Sequence, residues 1–534
     1  MSQGWKTTWE QLVRSQNDSV DDLLLRLLDT NDPAVWRGAT ETLLLRRSQA
    51  GLCELLRRWQ SLDTKTKQLV RHGSSRFMKA LRDAVVSNDN LMVENACQAA
   101  CYLREYDLIP ILVNVAEDGA SVNGDLAAKA VLVLSRLLYE ESAGPRDYTN
   151  RCDPQLIRGR LVRSLEKSVN RFRKHCRPDL VAAFLCLAKR DNATLAGLLG
   201  DPHDPAYQCL VDQLTNSSQL SVIRLLLDFL DTPRLPSSVL CILSRRTDVT
   251  FIGRLLNKLQ RPLSKTIRTN LKRMENIHWA LDQSLLAELE EQQQAAAMRL
   301  VSASGMKRSK AFSVVSFLLE HGKPRGRAAA AEVLADFNGS DADRLALSAM
   351  SDTYPEVQAL AIRQMRRRGI PGALARLLDF VESSHEQVRE AVRASLPEFH
   401  FDRYLASFDV LDDAVRQSTA KLVFKVNPEL RGELVRELDA PVRSRRLRGL
   451  QIVQTMQIVE HLEDRVLKLL ADNDHMVRAE AARALQSSDT SRAVTALRRA
   501  LLDRSVAVQE AARISLQKVG QKADSALAPQ EQVV

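Results

Sequence analysis

The sequence predicts an all-α chain folded as an α-solenoid of antiparallel helix pairs. Three observations carry this. Asp472, Val477, Arg478, Ala481 and Leu485 recur 31 residues later as Asp503, Val508, Gln509, Ala512 and Leu516. In both copies the apolar residues stand at 0, +4 and +8 after a turn with an acid, which is one face of a helix. The chain has 534 residues, too many for one compact core. No stretch shows sustained alternation between hairpin turns, so no strand is predicted. Aromatics are only 5% and charged residues 27%, a balance suited to thin two-layer helical packing.

The same pattern runs back through the chain. Taking the first apolar residue of each second helix as an anchor gives Gly326, Val357, Val388, Val415, Val442, Val477 and Val508. Their spacings are 31, 31, 27, 27, 35 and 31 residues. Four residues on stand Ala330, Ala361, Val392, Thr419, Arg446, Ala481 and Ala512. Small residues there let two helices approach closely. Arg446 breaks the rule. Each anchor follows an apolar first helix, for example Leu430, Leu434 and Leu438, or Leu462, Val466 and Leu469. One such hairpin cannot bury its apolar face alone; stacking buries it.

Towards the N-terminus the pattern is fainter. Val35, Ala39 and Leu43 follow Asn31, Asp32 and Pro33; Val93, Cys97 and Cys101 follow Asn88, Asp89 and Asn90; Leu126, Ala130 and Leu134 follow Asp118 and Gly119. A copy expected near Thr64–Gly73 is hard to discern. Residues 1–140 are read as an N-terminal array and 141–282 as a degenerate helical region. Within the latter, Asp153 and Pro154 make a good helix start, and Leu156–Phe172 reads as one amphipathic helix. All eight cysteines lie at or before Cys241 and the last tryptophan is Trp279, so the chain changes character near residues 280–305. Residues 283–310 are read as an exposed joining helix with a flexible end, 311–520 as a C-terminal array and 521–534 as a disordered tail.

Residues Asp474–Leu485 (DHMVRAEAARAL) and Ser505–Leu516 (SVAVQEAARISL) resemble HEAT-like repeats. The resemblance is to the short variety, as in the bilin-lyase type. It covers 311–520 best, 20–140 less well, and little between. It implies a scaffold or protein-binding surface; some members modify DNA, attach chromophores or carry a metal. It identifies a fold better than a function.

Recurring arginines (Arg389, Arg416, Arg443 and Arg478, with Gln358 and Gln509 in the same place) could form a cationic track. The plainer reading is a structural ladder to Asp412, Asp439, Asp474 and Asp503, as the resemblance implies. The sharpest local feature is basic. Residues 151–177 hold nine Lys or Arg against two acids, a net +7 where the whole chain carries +10. Arg160, Arg163, Lys167, Arg171 and Lys174 follow helical spacing, so they are predicted to share a face that could meet phosphates or acidic groups. Arg363, Arg366, Arg367 and Arg368 form a smaller cluster. Arg443, Arg445, Arg446 and Arg448 form another, where the repeat pattern falters.

Chemistry-bearing patterns are sparse. Cys97 and Cys101 share a helix face but occupy packing positions, and Asp201, His203 and Asp204 read as a turn. There is no HExxH, GxSxG, Walker loop or GxGxxG. His385–Glu386 is the only His-Glu pair, where a HEAT-like hydroxylase would use several. No cofactor or metal is expected. The N-terminus lacks an apolar signal core and no run of 18 apolar residues occurs, so a cytoplasmic protein without a membrane span is expected. The leading expectation is a non-catalytic scaffold or adaptor binding an unidentified protein partner. The alternative is nucleic acid or another polyanion held by the helix at 157–177. A HEAT-like lyase or DNA-modifying enzyme comes last.

Overall fold

A computed structural model describes residues 3–72, 74–119, 121–143 and 154–527. Among these, helices joined by short turns account for all regular structure, and no strand occurs. Contacts divide the chain into two compact units, Met1–Val314 and Val315–Val534.

In the first unit, helix starts are set by carboxylate caps. Asp32 accepts from the amides of Ala34 and Val35 at the head of Pro33–Arg46. Asp89 does the same for Leu91 and Met92 at the head of Asn90–Leu103. Such caps satisfy amides that the first helical turn leaves open. Both helices end on a left-handed arginine, Arg47 and Arg104. Caps and ends are each 57 residues apart, so Val35 corresponds to Met92, one residue from the register read off the sequence. The copy hidden near Thr64–Gly73 is there: Gln49–Arg57 is followed by Thr64–His72. The latter buries only Thr66 and Val70, which is why its apolar signal is weak.

The region read as degenerate continues with short helices. Pro178–Leu187 is buried on all sides from Leu180 to Leu187, so it has no polar face and no amphipathic signature. The long helix read over Leu156–Phe172 is instead Pro154–Val169, a break at Asn170–Arg171, and one turn, Phe172–His175. The His175 ring closes the break. Its Nε2 donates to the Ser168 carbonyl at 3.1 Å, and its Nδ1 accepts from the Arg177 amide at 3.0 Å. The expected cap Asp153 lies outside the described residues.

The stretch expected to be an exposed joining helix is two helices, Gln283–Glu288 and Glu291–Ala303. A capping box between Glu290 and Gln293 starts the second. It buries Gln294, Ala296, Ala297, Met298, Leu300 and Val301 and packs on Val249–Leu259. The segment expected to be flexible is docked too: the Gly305 amide donates to the Met274 carbonyl at 3.1 Å. A Cβ at Gly305 would stand 2.2 Å from the Lys272 carbonyl oxygen, so only glycine fits this approach.

The second unit is the clearest array. Its second helices are Pro324–Leu334, Pro355–Met365, Glu386–Ser395, Asp413–Val426, Arg443–Met456, His475–Ala484 and Val506–Leu527. Neighbours pack side by side, except that Asp413–Val426 meets the turn Pro397–Phe399 in place of the preceding helix. The 0, +4 and +8 positions are buried as expected in most units: Val357, Ala361 and Met365, for example, are at most 1% exposed. Burying each such large apolar side chain is worth roughly 1.5–3 kcal/mol.

One register needs correction. Val442 is 52% exposed and Arg446 makes the same contacts as Arg478. The anchor of that unit is therefore Arg445, with Gly449 and Val453 buried behind it. The spacings 27 and 35 then become 30 and 32. The final helix runs to Leu527, into the tail expected to lack structure; residues 528–534 lie outside the described residues.

Candidate interaction surface

The arginines sort into two groups by what they touch. The first group is an internal ladder. Arg478 gives two parallel bonds to the Asp503 carboxylate, at 2.9 and 3.0 Å, and Arg327 gives two to Asp352, at 2.8 and 2.9 Å. Arg446 meets Asp472 at 2.9 Å. Each also bonds a carbonyl of the turn before its own helix: Arg478 that of Asp472, Arg327 that of Gly322 and Arg446 that of Ala440. Planar guanidinium forks suit this clamp between neighbouring repeats. Asp503 is held below the usual carboxylate range by its bonds from Arg478. Gln358 and Gln509 keep only the carbonyl bond, to Asp352 and Asp503. Arg389 and Arg416 pair within their own helices, with Glu386 and Asp413, so the ladder lapses there.

The four arginines at 443–448 do not converge on one site. Arg443 meets Asp474 at 3.1 Å, Arg445 meets Glu437, Arg446 is the ladder residue, and Arg448 meets Asp409. The cluster at 363–368 also divides. Arg368 turns inward to Asp343 and to the Leu334 and Phe337 carbonyls. Arg363, Arg366 and Arg367 line a surface cleft of about 330 Å³ with Ala394, Ser395 and Pro397.

The second group of exposed cations follows the corrected register. The sixth residue after each anchor, from Val357 onward, is Arg363, Ala394, Lys421, Gln451, Arg483 and Ile514; all six are exposed. On a helix this place is opposite the 0/+4/+8 face. The ninth residues are Arg366, Pro397, Phe424, Gln454, Gln486 and Gln517. No acid stands at either place. This row was readable from the repeat spacing, but only once the Arg445 anchor was in place.

In the first unit, the structure brings Arg160, Arg163 and Lys167 together on Pro154–Val169, all exposed. Arg163 bonds its own helix at the Gly159 carbonyl. Arg160 stands 3.9 Å from Asp107. The break after Val169 takes Arg171 and Lys174 off this helix; Arg171 turns to Glu117 at 2.8 Å, while Lys174 is exposed. Beside the helix lies a cavity of about 860 Å³, lined among others by Tyr139, Arg158, Cys186, Lys189 and Arg224. Arg158 donates to the Leu187 and Ala188 carbonyls, and burial pulls its pKa down.

Among the described residues, no three His, Cys, Asp or Glu side chains stand grouped to hold a metal ion. Asp201 and Asp204 accept amide bonds within their turn, from His203 and Ala206. Glu386 is taken up by Arg389 and Arg393. Burial pushes the Cys97 thiol up to about 12 and that of Cys101 to about 11, which makes both poor nucleophiles. Cys176 and Cys241 are exposed, and Cys152 lies outside the described residues. No described helix is long and apolar enough to cross a membrane.

Comparison with curated protein sequences finds no match. Among solved structures, one from work on the cadherin–beta-catenin interaction shares 12% identity, covering 94% of this chain and 99% of that one, with a TM-score of 0.39. Kap121p shares 12% over 98% of this chain, which spans 57% of Kap121p, at 0.26. Human deoxyhypusine hydroxylase shares 14% over 59% of this chain and 99% of its own, at 0.18. Scores this low transfer no partner and no residue role. The sequence itself is more specific: residues 312–397 and 427–525 match the family of HEAT repeats. The unmatched gap falls where the spacing shortens and the arginine ladder lapses. The C-terminal part of this chain is a HEAT-repeat array.

Proposed function

We propose that the chain is a non-catalytic scaffold that holds a protein partner along the exposed face of its second helices. One observation carries this: the sixth residue after the anchor is exposed on six successive second helices, from Arg363 to Ile514. A preformed row of this kind makes many modest contacts with little ordering of the scaffold itself. The test is capture of a partner by the tagged full chain, repeated with glutamate substitutions at Arg363, Lys421 and Arg483. Partner release by the row variants and retention by matched substitutions at exposed first-helix sites support the proposal. Equal retention by both sets overturns it.

A second reading is polyanion binding through the basic stretch 157–177, on Pro154–Val169 and the turn Phe172–His175. It is favoured by Arg163, Lys167 and Lys174, which are exposed and make no ion pair with an acid among the described residues. If it holds, affinity for an oligonucleotide falls steeply with salt, and Arg163→Glu with Lys167→Glu abolishes it. Undetectable binding at low salt removes this reading.

A further inference from the structure

We infer that the row on the second unit takes an extended acidic segment of a partner protein, anchored in the cleft at Arg363, Arg366 and Arg367. This rests on the scaffold reading and adds the chemistry of the partner.

The charge pattern points that way. At the sixth and ninth places of six helices stand four cations and no acid: Arg363, Arg366, Lys421 and Arg483. Arg367, Lys425 and Lys518 flank the row at the tenth place and are exposed, with one acid, Glu398, at the same place. The acids that reach the row do so at its margin, Glu398 on Arg366, Glu382 on Lys425 and Glu480 on Arg483. Arg363 and Lys421 make no ion pair among the described residues. The row ends where its sign changes: the same place on Pro324–Leu334 is Glu332.

Geometry selects a peptide. Packed helices stand about 8–10 Å apart. An extended peptide advances about 3.3 Å per residue. Every third residue of such a segment therefore faces the next helix. The cations stand on alternate helices, at Arg363, Lys421 and Arg483, so glutamate or aspartate about six residues apart meets successive cations. Duplex DNA carries a charge every ~1.7 Å, far denser than cations on alternate helices. The neutral places on the row include Ala394, Pro397, Gln451 and Ile514. They suit apolar and amide contacts with a peptide. Phe424 is stacked on His461 in place of standing free as a base platform. At the cleft, Arg363 brings a guanidinium with no acid partner, and Arg367 is held by a single bond to the Ala335 carbonyl. Both keep donors for a carboxylate.

The test uses the full chain and fluorescence anisotropy at low salt. The probe is a labelled peptide with glutamate at every third position and glycine or serine elsewhere; a glutamine version is the control. The expected result is binding of the glutamate peptide only, weakened about tenfold or more in Arg363→Glu/Lys421→Glu/Arg483→Glu. Arg363 and Lys421 are exposed and make no ion pair among the described residues, whereas Arg483 pairs with the buried Glu480. Arg363→Glu/Lys421→Glu is therefore read beside the triple variant and should melt with the parent, which separates binding from folding. The same reversal at Arg160, Arg163 and Lys167 should leave the affinity unchanged.

Equal binding of both peptides, equal binding by parent and row variant, or no binding at all overturns the inference. Tighter binding of a single-stranded oligonucleotide, lost in the same variant, replaces it with nucleic-acid recognition. The scaffold reading fails separately. If the captured partner is released by row variants but the glutamate peptide never binds, the scaffold stands and the acidic segment falls. If the peptide binds the row but partner capture ignores it, the scaffold reading falls.

Discussion

Arg478 joins two repeats with one side chain. Its fork clamps Asp503 of the next turn while another nitrogen bonds the Asp472 and Asn473 carbonyls. The guanidinium is 6% exposed and its partner 16%, so both gain more from each other than a surface pair does. Arg478→Ala strands the Asp503 carboxylate and should cost about 2 kcal/mol in urea unfolding. The clamp also sets a pH dependence. Asp503 is depressed in the folded protein by its bonds from Arg478. Its contribution is therefore complete above the unfolded carboxylate pKa, near ~4, and is lost as pH falls through the lower folded value. Asp503→Asn should flatten the loss of stability below that pH. An unchanged acid limb would show that other carboxylates dominate it.

At the scale of one element, the helix Arg443–Met456 shows how register is decided. Gly449 faces the preceding helix so closely that a Cβ would lie 3.2 Å from Leu438 Cδ2 and 3.3 Å from Glu437 Cβ. It is the small contact position of its repeat. Gly449→Leu should destabilise the second unit by about 1–3 kcal/mol through overpacking. Val442→Asp, at a half-exposed site, should change stability by no more than about 0.5 kcal/mol. The opposite order would restore Val442 as the anchor. The weaker element is Asp413–Val426. It lacks the inter-repeat clamp and does not pack side by side with the second helix before it, Glu386–Ser395. Amide exchange should be faster across Phe401–Val426 than across His475–Ala484, because local opening there breaks fewer interactions. Equal protection would show that the lapse in the ladder has no energetic weight.

Over the whole molecule, stability is the sum of many neighbour contacts, as expected for stacked repeats. Every tryptophan lies at or before Trp279, within the first unit, whereas helices fill both units. Tryptophan fluorescence and far-ultraviolet circular dichroism should therefore give non-coincident urea transitions. A single shared midpoint would mean that the two units unfold as one. Among the described residues no three His, Cys, Asp or Glu side chains are grouped to hold a metal ion, and the cations of the second unit's row stand on alternate helices.

The repeat period, the buried 0/+4/+8 face and the all-α class were legible in the sequence, because a stacked helix must carry its apolar residues in one phase. Asp474–Leu485 displays this well: its helix has a carboxylate cap, a small contact residue and a clamp to the next turn. Other features were decided only by tertiary contacts. Whether an arginine is internal or exposed depends on a partner some 25 residues away, so Arg446 and Arg443 look alike in sequence and differ in the fold. The break after Val169 is closed by His175, whose ring bonds seven residues back. Pro178–Leu187 hides its repeat because neighbours bury every side of it. Periodicity records which face is buried. It does not record what the remaining faces touch, and here those faces separate ladder residues from the exposed row.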